Sequence, residues 1–124
     1  MELVPKRQTG FVLALVEMNF AIEGYNECLI AYILGASSPT YPLSPEAYHK
    51  CWARSGGING ETTKYGYTLK LKHNGAAEYG GPLFWAHYSY LGLDPRNLKD
   101  KYANYWDENR NQVLIDYNYC VENP

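Results

Sequence analysis

At 124 residues the chain fits one domain, and a net charge of −2 with 19% charged residues leaves no basic surface for nucleic acid or anionic lipid. Thirteen tyrosines are the outlying figure. A Tyr ring pairs an apolar face with a hydroxyl that needs a partner, which suits a core with wet edges or a surface that stacks on flat ligands such as sugars.

Residues 1–10 are expected to be an irregular lead-in. Lys6 and Arg7 before FVLALVEMNFAI loosely resemble a signal peptide, but the apolar run Phe11–Val16 is too short and no small-residue cleavage site follows. The run is also too short to span a membrane. From Ala21 to about Ser37, Ile22, Leu29, Ile30, Ile33 and Leu34 recur at helical spacing and predict a helix. Gly24 weakens its first turn, so the start can shift to Tyr25 or Asn26. GASSPTYPLSP ends that helix, and Ser44-Pro45-Glu46 caps a short one running to about Arg54. SGGINGETT is expected to be loop. KYGYTLKLK alternates, with Tyr65, Tyr67, Leu69 and Leu71 on one side of a strand or ribbon. After a second loop, HNGAAEYGG, Pro82–Leu91 predicts a short helix. Asp94-Pro95 predicts the cap of a longer one from Lys99 to about Val121. Its apolar face would be Leu98, Tyr102, Tyr105, Trp106, Val113, Leu114, Tyr117 and Val121, slipping near 109–111. No repeat or low-complexity segment occurs.

Cys28, Cys51 and Cys120 form no CxxC pair, and His49 and His73 sit in separate segments, so no metal site and no cofactor is implied. Gly56-Gly57 and Gly80-Gly81 do not form a phosphate loop. The stretch GYNECLI places Glu27 at the mouth of an apolar helix. Two readings stand: a general acid kept protonated by an apolar wall, or a helix-terminal carboxylate that favours the dipole. Glu23, one helical turn before Glu27, is read as a solvated neighbour, because glycoside hydrolysis needs its carboxyls on opposite sides of the bond. His87, flanked by Trp85, Tyr88 and Tyr90, suits either a hydrogen-bonded core position or a ligand-stacking rim. Ser89 beside His87 carries no nucleophile signal.

The motifs EMNFAIEGYNECLIAYILGASSPTYPL, YHKCWARSGG, YGYTLKLK and GGPLFWAHYSYLGLDPRNLKDKYANYWDENRN, in that order, resemble the glucoamylase-like family of bacterial proteins, which includes the endo-β-1,2-glucanases of glycoside hydrolase family 144. The resemblance implies a mainly α fold: a partial (α/α) toroid, a slice of an (α/α)6 barrel, with a small β ribbon near residues 64–72. It implies that residues 17–124 are the central part of a catalytic domain preceded by a divergent lead-in, 1–16, and that the isolated chain lacks the opposing base. It implies Glu27 as the proton donor of an inverting hydrolase acting on β-glucans, β-1,2-glucan among them. Tyr25 and Asn26 would shape the pocket, and Trp85, His87 and Tyr88 would line it and bind an oligo- or polysaccharide. It further suggests a periplasmic or secreted location. A toroid slice should also expose an apolar patch through which copies self-associate. Tyr41, where the family pattern suggests His, and the unmatched RQTGFVLALV are departures. The alternatives are a non-catalytic carbohydrate-binding protein with an aromatic-lined pocket and a purely structural remnant.

Overall fold

The computed structural model describes residues 21–76 and 82–124. The lead-in, the signal-like run, the second half of the HNGAAEYGG loop and Gly80-Gly81 lie outside the described residues. What is described is mostly helical with one two-stranded antiparallel sheet. Helix α1 spans Leu29–Ala36. Helix α2 spans Pro45–Ala47 and continues as a wider π-helical turn through Trp52. Strands β1 (Asn59–Lys64) and β2 (Tyr67–Leu71) follow, then helix α3 (Leu83–His87) with a 3-10 turn, Tyr88–Leu91, and helix α4 (Tyr105–Glu122). No described helix is long and apolar enough to cross a membrane.

The expected helix over 21–37 forms only in its second half. Asn26 explains the delay: its Oδ1 accepts from the Cys28 N–H at 2.9 Å, and its Nδ2 donates to the Glu23 carbonyl at 2.6 Å. Such local bonds offer the backbone an alternative to the helix. The Ser44 cap forms as expected, its Oγ accepting from the Ala47 N–H with Pro45 at the first position. The ribbon is longer than expected. Half of the predicted SGGINGETT loop is β1, which has no apolar alternation of its own and becomes a strand by pairing with β2. Thr63 and Thr68 face each other with hydroxyls 2.8 Å apart. Tyr65 belongs to the turn, not to the strand. With Gly66 it makes a two-residue connection with φ of 52° and 80°, a geometry that matches strand twist. Leu69 and Leu71 are buried with Lys70 exposed between them, as alternation requires.

The last helix also begins later than expected. Asp94 accepts from the Arg96 N–H, but Asn97 then takes a left-handed φ of 65° and no helix follows. The true cap is Asn104, whose Oδ1 accepts from Trp106 and Asp107. From there α4 runs unbroken through 109–111.

Its buried face is not the apolar one. Tyr105, Glu108, Asn109, Gln112 and Ile115 are buried, while Trp106, Val113, Tyr117 and Val121 are exposed. The reason lies in β2. The Glu108 carboxylate accepts from the Lys70 N–H at 2.6 Å and the Leu71 N–H at 3.1 Å, and Asn111 Nδ2 donates to the Thr68 carbonyl at 2.9 Å. Polar side chains of α4 thus do for the free edge of β2 what a third strand would do. The core beneath is aromatic: Trp52, Tyr32, Tyr105 and Tyr25 are all nearly inaccessible. At its edge Asp100 Oδ2 receives the hydroxyls of Tyr48 (2.5 Å) and Tyr105 (2.9 Å), and Trp52 Nε1 donates to the Tyr105 hydroxyl at 3.4 Å. Asp100 Oδ1 accepts from the Tyr102 and Ala103 N–H groups.

Candidate active site

The segment that carries Glu27 is tied to the core before α1 begins. The Gly24 N–H donates to the Trp52 carbonyl at 2.9 Å, and the Asn74 N–H donates to the Tyr25 carbonyl at 3.1 Å. Only glycine fits at 24, since a Cβ there would meet the Trp52 indole at 2.6 Å. Tyr32, from α1, donates its hydroxyl to the Ile22 carbonyl at 2.8 Å. Tyr25, whose role was expected to be pocket-shaping, is 3% exposed and packs with Trp52, His73 and Tyr105. It supports the segment from behind, and burial pushes its hydroxyl pKa well up.

Asn26 and Glu27 emerge from this anchor into a cavity of about 590 Å³, lined by Ala21, Ile22, Glu23, Asn26, Glu27, Cys28 and Asn74. Glu23 shares it, but not through the one-turn helical spacing read from sequence, because neither residue is helical. Glu27 lies immediately before the Cys28 N-cap of α1, outside its first turn. Its carbonyl accepts from Ser89 Oγ at 2.5 Å. The neighbouring Cys28 thiol is pushed up first by burial and then by the charge of Glu27.

Trp85, His87 and Tyr88 have different neighbours among the described residues. Trp85 is half-buried, with its ring 5.9 Å from the His73 ring. His87 lines an apolar cavity of about 270 Å³ with Trp106, Asn109, Arg110, Val113 and Leu114. Tyr88 is exposed and meets Phe84 edge to face at 5.5 Å. None of the three is among the described residues lining the Glu27 cavity.

Two residues that sequence reasoning set aside matter here. His73 is 1% exposed and sits between Tyr25 (4.5 Å) and Trp85 (5.9 Å). Neither ring nitrogen has a hydrogen-bond partner among the described residues, and burial lowers its pKa to about 4. A neutral imidazole therefore lies within electrostatic reach of Glu27. Ser89, also 1% exposed, reaches the Glu27 turn from the far side of the chain. No signal in the sequence marks either, because both are defined by partners distant along the chain. No group of His, Cys, Asp and Glu among the described residues could hold a metal ion.

The profile of the family described as "Putative glucoamylase" (Glycoamylase) matches residues 19–124. A curated relative, the exo β-1,2-glucooligosaccharide sophorohydrolase (non-reducing end) of Parabacteroides distasonis, is 37% identical over 123 aligned residues, 86% of this chain and 16% of the relative. The endo-β-1,2-glucanase of Chitinophaga pinensis, solved with sophorotriose and glucose, is 61% identical with a TM-score of 0.79. It covers 87% of this chain and 26% of that one. A structure solved as a "putative glucoamylase" from Bacteroides fragilis is 50% identical, with a TM-score of 0.76 over 87% of this chain and 25% of that one. The chain thus spans about a sixth of the curated relative's length and about a quarter of the solved ones.

Proposed function

This chain belongs to the glucoamylase-like family, and from that premise we propose that it is part of an inverting glycoside hydrolase acting on β-glucans, β-1,2-glucan foremost. The observation that carries this reading is 61% identity, across 87% of the chain, to a structure solved as an endo-β-1,2-glucanase. In the proposal the helices are part of an (α/α) toroid and residues 17–124 are the central part of its catalytic domain. Glu27, held at the wall of an open cavity, is the general acid that protonates the glycosidic oxygen. An inverting enzyme places its base about 6.5–9.5 Å from the acid, with the attacking water between them. We assign that base to residues beyond these 124, so the isolated chain is inactive. Asn26 shapes the turn at Glu27 through its two side-chain bonds, and Tyr25 backs it. Trp85, His87 and Tyr88 are assigned to sugar binding, with Trp85 nearest the segment around His73.

A second reading, sugar binding without catalysis, is favoured by the Phe84–Tyr88 pair, whose two rings are each more than half exposed. Such rings stack on the C–H faces of sugars.

The test transplants residues 19–124 into the Chitinophaga pinensis enzyme in place of its matching quarter and measures reducing-sugar release on a panel of β- and α-glucans. The chimera should cleave β-1,2-glucan, and Glu27→Gln should cut the rate by about 10²–10⁴-fold, the usual worth of a general acid. A chimera that binds glucan but cleaves none would favour the second reading. Cleavage retained after Glu27→Gln would remove Glu27 from the role.

A further inference from the structure

Resting on the reading of Glu27 as the acid, we propose that Ser89 is the positioning residue that aims the Glu27 carboxyl. The first turn of a helix leaves backbone N–H groups without intrahelical partners, and a Ser, Thr, Asp or Asn just before it normally takes one. Helix α1 has Cys28 in that place, and its side chain makes no capping bond. The bond comes instead from Ser89, 59 positions along the chain, whose Oγ accepts from the Ile30 N–H at 3.1 Å. The same hydroxyl donates to the Glu27 carbonyl at 2.5 Å. A serine hydroxyl has one proton to give, so the two bonds together orient it fully.

The peptide between Glu27 and Cys28 is then held at both of its polar atoms. Ser89 holds the oxygen, and Asn26 Oδ1 holds the Cys28 N–H at 2.9 Å. A planar peptide pinned at oxygen and nitrogen cannot rotate about its flanking bonds. Together with the Asx turn that Asn26 Oδ1 closes across residues 26–28, this restricts the Glu27 backbone and the direction in which its side chain leaves. Asn26 is the local half of this clamp. Ser89 is the distant half, carried by the 3-10 turn that follows α3. Because Ser89 is 1% exposed, water does not compete for either bond. A serine with no nucleophilic partner thereby acquires a role in the reaction: it is the link between the Trp85–Tyr88 segment and the acid.

The experiment is Ser89→Ala in the chimera with the Chitinophaga pinensis enzyme, with Ser89→Cys beside it. Misplacing a reacting group by about 1 Å costs on the order of 10²-fold. We therefore expect kcat per folded molecule to fall about tenfold to a hundredfold in Ser89→Ala, with KM changed less than about twofold. The limb of the pH–rate profile set by Glu27 should move, and hydrogen exchange at Cys28 and Ile30 should accelerate. Ser89→Cys keeps a weaker donor and acceptor and should recover part of kcat. If Ser89→Ala does not fold, Ser89→Cys alone carries the test, and parental kcat with an unmoved limb in that variant overturns the proposal. Ser89→Ala at the parental rate, with Glu27→Gln inactive, overturns the positioning role and leaves the acid reading standing. Glu27→Gln at full rate overturns both, while exchange at Cys28 and Ile30 still reports whether the clamp exists.

Discussion

His73 is the residue whose chemistry is least expected for its surroundings. A buried imidazole with no hydrogen-bond partner at either nitrogen among the described residues is uncommon, since buried polar atoms nearly always find partners. Its pKa falls from 6.5 to about 4, chiefly by desolvation, so the folded chain binds fewer protons there than the unfolded chain does. Stability from this group is complete above about pH 6.5 and is lost as pH falls toward about 4. His73→Phe retains a ring between Tyr25 and Trp85 and removes the titration. We expect equilibrium unfolding by urea to show a flatter pH dependence between about 4 and 6.5 in this variant, with stability at pH 7 kept or raised. An unchanged acid limb would mean that some other group carries it.

Among the elements, α4 departs furthest from its own pattern. Summed along the helix, its apolar residues would turn Trp106, Val113 and Tyr117 inward. It turns Glu108 and Asn109 inward instead, because an unpaired strand edge demands acceptors and donors more strongly than water demands the return of those side chains. Burial raises the pKa of Glu108, opposed by the N–H groups of Lys70 and Leu71. A raised folded pKa means that its contribution is fullest below the ordinary carboxylate range and shrinks as pH rises through the folded value, the reverse of His73. In Glu108→Gln one amide oxygen can still accept, but the amide nitrogen faces the second backbone N–H. The expected cost is about 1–3 kcal/mol, read by chemical denaturation, with faster hydrogen exchange at Lys70 or Leu71. No loss of stability would mean that the buried charge costs as much as its two bonds return.

At the scale of the molecule, the face that α4 leaves outward is apolar. Trp106, Val113, Tyr117 and Val121 are 46%, 39%, 65% and 61% exposed and fall along one side of the helix. The exposed apolar surface expected from the family resemblance has its candidate here, and self-association through it is our prediction. Sedimentation velocity on the 124-residue chain should show concentration-dependent association, and Trp106→Lys with Tyr117→Lys should return it toward monomer. A monomer at all concentrations would mean that the face is tolerated bare.

The features legible in the sequence were those with local causes. Ser44-Pro45 starts a helix because a hydroxyl three residues from an N–H can close on it. Leu69 and Leu71 alternate because successive strand side chains point to opposite faces. Aromatic motifs in a fixed order sufficed for the family, since such a combination rarely recurs by chance. The tertiary structure alone decided which face of α4 is buried and what ties the Glu27 turn to the 3-10 turn after α3. In each case the deciding partner is remote: Lys70 lies 38 positions from Glu108, and Ser89 lies 62 from Glu27. A hydrogen bond between such residues costs the closure of a long loop and leaves no periodicity behind it. The candidate acid could therefore be named from its motif, whereas the clamp that aims it becomes visible only once the chain is folded.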